Sequence, residues 1–310
     1  MKITLLSRSG SIPSTRRLVE AARARGHQVR VLNPVKVEMH LDGKSANLYY
    51  QRKKLSRTDV VIPRIAQSIS NYGLAVVNQF GLKGVPLMNN AQAIAQARNK
   101  MRSLQLLSAH GIGIPATVMA RDAADLKEMV SLVGGVPVLV KLLQGQEKHG
   151  VMVCESLQSL EAALEAILGL GHNLVVQQYV KRSGRDVRVF VVGGKVLAGV
   201  RRRARVGRLA RTLIRGARLE PIALTTAQRE AAVRTAQLVG LEVAAVDLFD
   251  VNGAPKVFEV NASPALPEME AVTGVDLAGA IIERAEALVE EHHHAASSRV
   301  RAPKQVFEAK

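Results

Sequence analysis

Short apolar runs alternate with amphipathic stretches from the first residue onward. MKITLL, QVRVLN and DVVIPRI have the length and composition of buried strands, whereas STRRLVEAARARGH repeats its apolar positions at helical spacing. Ser14 is a candidate cap for that helix and Gly26 its stop. A second helix is predicted over residues 71–82, and VPLMNN reads as another strand. This βαβ rhythm predicts a small parallel sheet within residues 1–90. The turn after the first strand, SRSGS, lacks the three glycines of a dinucleotide fingerprint, so no NAD site is predicted there.

Residues 91–110 carry one long helical pattern, closed by Gly111 and followed by Pro115. An α+β unit comes next: PATVMA, a helix from about Asp122, the strands PVLVKLL and VMVCE around a loop, and a helix near 157–168. A third unit holds LVVQQYV, then VRVFVVGGKVLAGVRRR with a hairpin at Gly193-Gly194. A basic loop, a helix near 225–239, an acidic hairpin and a final helix from about Asp276 complete it. After Glu291 the composition HHHAASSRVRAPKQ predicts a frayed tail, its histidines solvated rather than metal-ligating. The organisation expected is therefore 1–90, 91–175, 176–291 and a flexible 292–310. No internal repeat is evident.

Composition narrows the class. At 310 residues and 47% hydrophobic the chain can bury about two cores, and no run approaches the ~18 apolar residues of a membrane span. The opening MKITLLSRSG turns polar too soon for a secretory signal. The single cysteine, Cys154, excludes an intrachain disulfide, fits a cytoplasmic setting, and lies in an apolar run as a structural thiol. A net charge of +17 implies an anionic partner: nucleotide, nucleic acid or acidic peptide. With 3% aromatics and no tryptophan, the chain is poorly equipped to stack single-stranded bases.

The densest chemistry lies in VAAVDLFDVNGAPKVFEVNASP, residues 243–264, a predicted hairpin with Asp247 on one strand and Glu259 and Asn261 on the next. Residues two apart in a strand share a face, so Glu259 and Asn261 point the same way. A two-residue Asn252-Gly253 turn would pair Asp247 with Phe258; a turn one residue longer pairs Asp247 with Glu259. The longer turn is expected, with a cation bridging the opposed carboxylates. These hard oxygen donors suit Mg²⁺ that also holds nucleotide phosphates. An ordinary solvated hairpin is the alternative.

Elsewhere, Lys141 leaves the strand PVLVK toward a glycine-containing loop, where it either neutralises phosphates or ends in solvent. Lys100 faces the same choice. In VVQQYVKRSGRDVRVF, Gln178 and Tyr179 are placed to flank an adenine and Asp186 to reach a ribose or substrate, a satisfied sheet edge being the alternative. Arg188 can grip a carboxylate through its fork. The loop RRRARVGRLARTLIRGAR follows a strand; its arginines either stabilise a transferring phosphoryl group or form a solvated patch touching RNA.

Together these segments resemble the ATP-grasp superfamily, specifically RimK-like α-L-glutamate ligases, over the chain as far as about Glu291. VIPRI, NKMRSLQLL, VGGVPVLVKLL and VDLF…EVNASP carry the resemblance through their order and spacing. It implies an α/β and α+β chain: a Rossmann-like front domain and two ATP-grasp lobes enclosing ATP. It also implies phosphoryl transfer to a glutamate carboxylate, followed by amine attack on the acyl phosphate. By resemblance, Lys100 and Lys141 contact phosphates, and Gln178, Tyr179 and Asp186 hold the nucleoside. Asp247, Glu259 and Asn261 would hold Mg²⁺, or Mn²⁺, with Asn261 also at the nucleotide, and Arg188, Arg211 and Arg215 would be the catalytic arginines, Arg211 also touching nucleotide. A ribosomal protein or acidic peptide acceptor, ribosome or RNA contact through the basic surface, and a homo-oligomer are family-level expectations.

Departures stand beside the matches. The phosphate lid GQEKHGV (145–151) has fewer glycines than the family's GTQGIGV and adds Glu147 beside Lys148 and His149. Gln178 replaces an acid, and ARTLIRGA puts Ala210 and Thr212 where an arginine and an asparagine are expected; Arg215 matches and Arg211 is one position away. Competing readings are a divergent homologue with weak catalysis that binds ribosome or RNA, and a ligase for a small metabolite amine.

Overall fold

The computed structural model describes residues 1–120, 125–142, 151–169, 174–180, 186–203, 218–251 and 253–301. The chain divides into two compact units, one of Met1–Gln92 with the segment from Asp276, the other Ala93–Val275.

The first unit begins with β1 (Lys2–Leu6), α1 (Pro13–Ala24) and β2 (Gln28–Leu32), followed by β3 (Val37–Leu41), β4 (Ala46–Tyr50), β5 (Lys53–Lys54), β6 (Val60–Pro63) and α2 (Ser70–Leu82). β1 lies between β2 and β6 and is parallel to both, the small sheet that the βαβ rhythm predicts. Its near-continuous apolar strands are buried, with Leu5, Leu6, Val60 and Val61 fully enclosed. Ser14 does not cap α1. The helix starts at Pro13, where a missing N–H costs nothing, and Ser14 is buried in its first turn. Gly26, at φ +77°, ends it as expected.

VPLMNN forms only a bridge between Val61 and Leu87, because Pro86 has no N–H with which to extend the ladder. The antiparallel trio β3-β4-β5 has no counterpart in the pattern reading. Its first turn is organised by Asp42, whose Oδ1 accepts from Lys44 N (3.0 Å) and Ser45 N (2.6 Å).

The last helix, Leu277–Arg301, belongs to this unit. Arg25 grips Glu286 at 3.0 and 2.6 Å and reaches Glu283 at 3.1 Å, and Arg17 reaches Asp276 at 2.7 Å. The tail expected from residue 292 is thus helical to Arg301. No glycine or proline interrupts the chain between Gly279 and Pro303, and His294 and Ser297 bond carbonyls one turn back.

The second unit takes over within α3 (Ala91–Arg98), followed by α4 (Lys100–Ala109). The single helix expected here is broken at Asn99, whose extended backbone and side-chain acceptor for Arg102 N cap a new helix. β7 (Thr117–Ala120), α5 (Leu126–Leu132), β8 (Val138–Leu142), β9 (Val151–Cys154), α6 (Leu157–Gly169) and β10 (Leu174–Gln178) follow. Their strands form an antiparallel sheet in the order β7-β10-β8-β9. Val138, Val140, Cys154 and Val176 pack with Val130, Leu160 and Leu164 of the two helices. Burial pushes the Cys154 thiol up, consistent with a structural role.

β11 (Asp186–Val192), β12 (Lys195–Arg203), β13 (Arg218–Pro221), α7 (Thr226–Val239), β14 (Val243–Val251), β15 (Ala254–Asn261) and α8 (Pro267–Thr273) complete the unit. Among the described residues the strands make a five-stranded sheet, β13-β12-β11-β14-β15. α7 is capped by a Thr225–Gln228 capping box and closed by Gly240 at φ +79°. Gln228 Nε2 donates to Asp250 Oδ2 at 2.8 Å. Asp250 lies an odd number of residues from Asp247, so α7 covers the face opposite Asp247.

Candidate active site

The uncovered side of the five-stranded sheet gathers charge. Asp247 pairs directly with Arg188 on one neighbour and Glu259 on the other, Ala245 pairs with Asn261, and Asp186 pairs with Arg202. Directly opposed residues and residues two apart share a face, so Asp186, Arg188, Arg202, Asp247, Glu259 and Asn261 line one surface. The Asp247–Glu259 pairing is as expected; the longer turn is not. Val251 pairs with Ala254, and the extra residue is a β-bulge at Phe258, between the pairs Asp247–Glu259 and Leu248–Val257. Phe258 stacks on Phe249 with centroids 5.0 Å apart, apolar packing that fixes the bulge and hence the register of the acids.

Asp247 is 1% exposed and fully engaged by cations. Arg188 Nε donates to Oδ1 at 2.7 Å and its Nη2 to Oδ2 at 2.8 Å, and Arg202 Nη2 donates to Oδ2 at 2.9 Å. Burial opposes ionisation of Asp247, but the two guanidiniums override it and hold the carboxyl below its usual range. Arg188 is raised in turn: burial disfavours its charge, and Asp247 first, then Glu259 and Glu268, more than compensate. The fork of Arg188, expected on a carboxylate, therefore grips one belonging to the protein itself.

A divalent cation fits this donor set. Oδ2 of Asp247 already accepts twice, whereas Oδ1 accepts once and keeps a lone pair. Glu259 stands opposite and Asn261 lies two residues along the same face. Asn261 Oδ1 accepts from Ser263 N at 2.8 Å, which holds the carboxamide rotamer. The third donor is an amide. Among the described residues, no cluster of three or more His, Cys, Asp or Glu side chains is arranged for a metal.

Lys141 lies in the four-stranded sheet. It pairs with Val175, so Gln177 is its diagonal neighbour on the same face, and Lys141 Nζ donates to Gln177 Oε1 at 2.6 Å. Gln177 is buried and passes the chain on, Nε2 to Thr117 Oγ1 at 2.8 Å and Thr117 Oγ1 to Pro115 O at 2.8 Å. Gln178 turns the other way. Its Oε1 accepts from Lys256 Nζ at 3.0 Å, linking the hinge to β15. Its backbone N–H is taken by Ala116 O, and β10 is flanked on both sides rather than at an edge. Tyr179 follows directly and is half-buried, and Lys100 is the first residue of α4. Arg211 and Arg215, the lid from Gly145 to Gly150, Ala210 and Thr212 lie outside the described residues.

Two participants escaped the sequence reading. Arg202 was one of three consecutive arginines, and only the cross-strand register distinguishes it from its neighbours. Gln177 sat beside the residue chosen for the hinge; its two-residue offset from Val175, opposite Lys141, was the available signal.

A lysine-bearing antiparallel sheet followed by a larger sheet with paired acids defines an ATP-grasp ligase, and solved structures of that fold bear this out. One, of the ATP-grasp ligase PsnB complexed with minimal precursor, Mg and ADP, matches with a TM-score of 0.72 at 21% identity, covering 93% of this chain and 98% of that one. Residues 1–94 match the model of the RimK PreATP-grasp domain and residues 97–285 that of the RimK-like ATP-grasp domain. A probable alpha-L-glutamate ligase of Thioalkalivibrio sulfidiphilus is 45% identical over 91% of this chain and 94% of its own length. One of Methanococcoides burtonii is 44% identical, with the same coverage. The chain belongs to the RimK-like ATP-grasp family, and its activity is that of an ATP-dependent ligase.

Proposed function

We propose that this ligase joins glutamate, or a similar acidic amino acid, to a protein or peptide, with a ribosomal protein as acceptor. The observation that carries the reading is the direct Asp247–Glu259 pair with Asn261 on the same face, in a chain 45% identical to a probable alpha-L-glutamate ligase. The γ-phosphoryl group of ATP passes to a glutamate carboxylate, leaving ADP and an acyl phosphate. An amine then attacks the carbonyl carbon, the amide forms, and phosphate departs as the amine loses a proton. A carboxylate is a poor acyl donor until one oxygen becomes this leaving group.

Mg²⁺, held by Asp247, Glu259 and Asn261, would neutralise charge on the transferring phosphoryl group. Lys141, braced by Gln177, supplies a compact cation to the phosphates, and Lys100 a second. Gln178, steadied by Lys256, and Tyr179 flank the adenine, while Asp186 addresses the ribose. Arg188 keeps Asp247 ionised; Arg211 and Arg215 complete the anion-binding set. The bulge at Phe258 sets the register of the acids and so places the chemistry on one face.

Incubating the protein with Mg²⁺, ATP, glutamate and a ribosomal extract should yield ADP and protein masses increased by whole glutamyl residues. No nucleotide turnover with any of the twenty amino acids would sink the reading. The +17 charge favours a second, additional property, contact with ribosomal RNA. It predicts affinity that falls steeply with salt, the slope counting phosphate contacts. A cytoplasmic setting is part of the same proposal.

A further inference from the structure

Arg202 is half used. Its Nη2 reaches Asp247, yet among the described residues its buried Nε has no hydrogen-bond partner. The side chain is 11% exposed, so water does not substitute freely for the missing acceptor. A buried donor left unpaired costs about 1–3 kcal/mol, and native interiors rarely tolerate one without reason. The neighbouring fork shows the contrast: Arg188 spends Nε and Nη2 together on the two oxygens of Asp247. Arg202 offers the same pair of donors, but Asp247 has only one position left for it, and that engages Nη2.

We infer that the vacant Nε–H of Arg202 receives an anionic oxygen of bound substrate, making Arg202 a ligand-contacting residue of the ligase reaction. Three facts point to an anion. The donor belongs to a permanently charged guanidinium, which binds carboxylate or phosphate oxygens in this way. It opens on the face shared with Asp186, Asp247, Glu259 and Asn261. Asp247 itself is already satisfied by two arginines, so the second tine of Arg202 is not required to keep it ionised. An oxygen settling there lies next to Asp247, and repulsion between the two is relieved where a divalent ion is present. The inference rests on the proposed ligase reading of this face. A nucleotide phosphate and an amino-acid carboxylate present the same chemistry to Nε.

The test uses the full chain. With arginine Nε labelled by ¹⁵N, the Arg202 Nε–H signal, assigned by its loss in Arg202→Lys, should shift and gain protection from exchange when Mg²⁺ and a non-hydrolysable ATP analogue are added. If the signal moves only once glutamate is also present, the acceptor is the carboxylate; movement with the analogue alone assigns it to phosphate. By calorimetry, Arg202→Lys should weaken binding of the analogue, or of glutamate in its presence, tenfold or more, while Mn²⁺ affinity without nucleotide, read by its paramagnetic resonance, changes less than about threefold. A signal unmoved by either ligand, or equal losses of Mn²⁺ and ligand affinity, would overturn the inference and leave Arg202 as a brace for Asp247. Failure of wild-type protein to bind the analogue at all would instead defeat the ligase reading.

Discussion

Asp247→Asn is the most informative single change, because it separates what Asp247 does for the fold from what it does for the reaction. The wild-type carboxylate is 1% exposed and receives three charge-assisted hydrogen bonds from two guanidiniums. Asparagine keeps the volume and one acceptor but turns an NH₂ donor toward arginine donors. Removing one partner of a buried ion pair costs about 3–5 kcal/mol. The retained acceptor and the 22% exposure of Arg188 place this case near the lower end, at ~3 kcal/mol. For a unit of this size that lowers the melting temperature by roughly 6–12 °C. Thermal melts at pH 7, with calorimetric titration of Mn²⁺, measure both consequences, and cation binding should be lost. Glu259→Gln should also abolish cation binding, yet cost less than about 1 kcal/mol, since Glu259 is half-buried with no comparable enclosure. The pH sign follows from the depressed carboxyl. The stability that Asp247 contributes is complete above its unfolded value, about 3.9, and is lost as pH falls through the lower folded value. The difference between wild type and Asp247→Asn should therefore shrink in strong acid. A variant as stable as wild type at pH 7, or a difference that widens on acidification, would refute the reasoning.

Lys141→Met should weaken ATP-analogue binding at least tenfold in calorimetry, with a melting temperature close to wild type because the strand keeps its apolar partners; unchanged affinity would remove Lys141 from the nucleotide site. Gly113→Ala should destabilise the second unit by about 1–3 kcal/mol in urea denaturation, since a Cβ there would lie 2.7 Å from the Pro255 carbonyl oxygen, a backbone atom that cannot swing aside. Glu286→Gln should lower the stability of the first unit at neutral pH. Glu286 is held below its usual range chiefly by its hydrogen bond to Arg25, against burial and with help from His27, so this loss should vanish as pH falls below about 4. Melting curves from pH 3 to 7 decide it.

Periodicity and punctuation determined most of the elements. The apolar runs of β1, β2 and β6, the helical spacing of α1 and α7, the stop at Gly26 and the Gly193-Gly194 hairpin were legible because each depends on residues adjacent in the chain. So were the candidate acids, since two-residue spacing places Glu259 and Asn261 on one face of any strand. Where local signals competed, the pattern was less decisive. Asn99 split a continuous helical pattern by capping, and Pro86 reduced an apolar run to a bridge. Tertiary structure alone decided the rest. The pairing of Asp247 with Glu259 depends on a bulge secured by Phe249 against Phe258, not on turn length, and no local rule specifies it. The arginine clamp on Asp247 arises across three strands, β11, β12 and β14, from separate parts of the chain, so one arginine in a run of three becomes special only when the sheet assembles. Local sequence sets which groups are available and which face they share; register between distant strands decides which of them meet, because a slip of one residue turns a side chain to the opposite side.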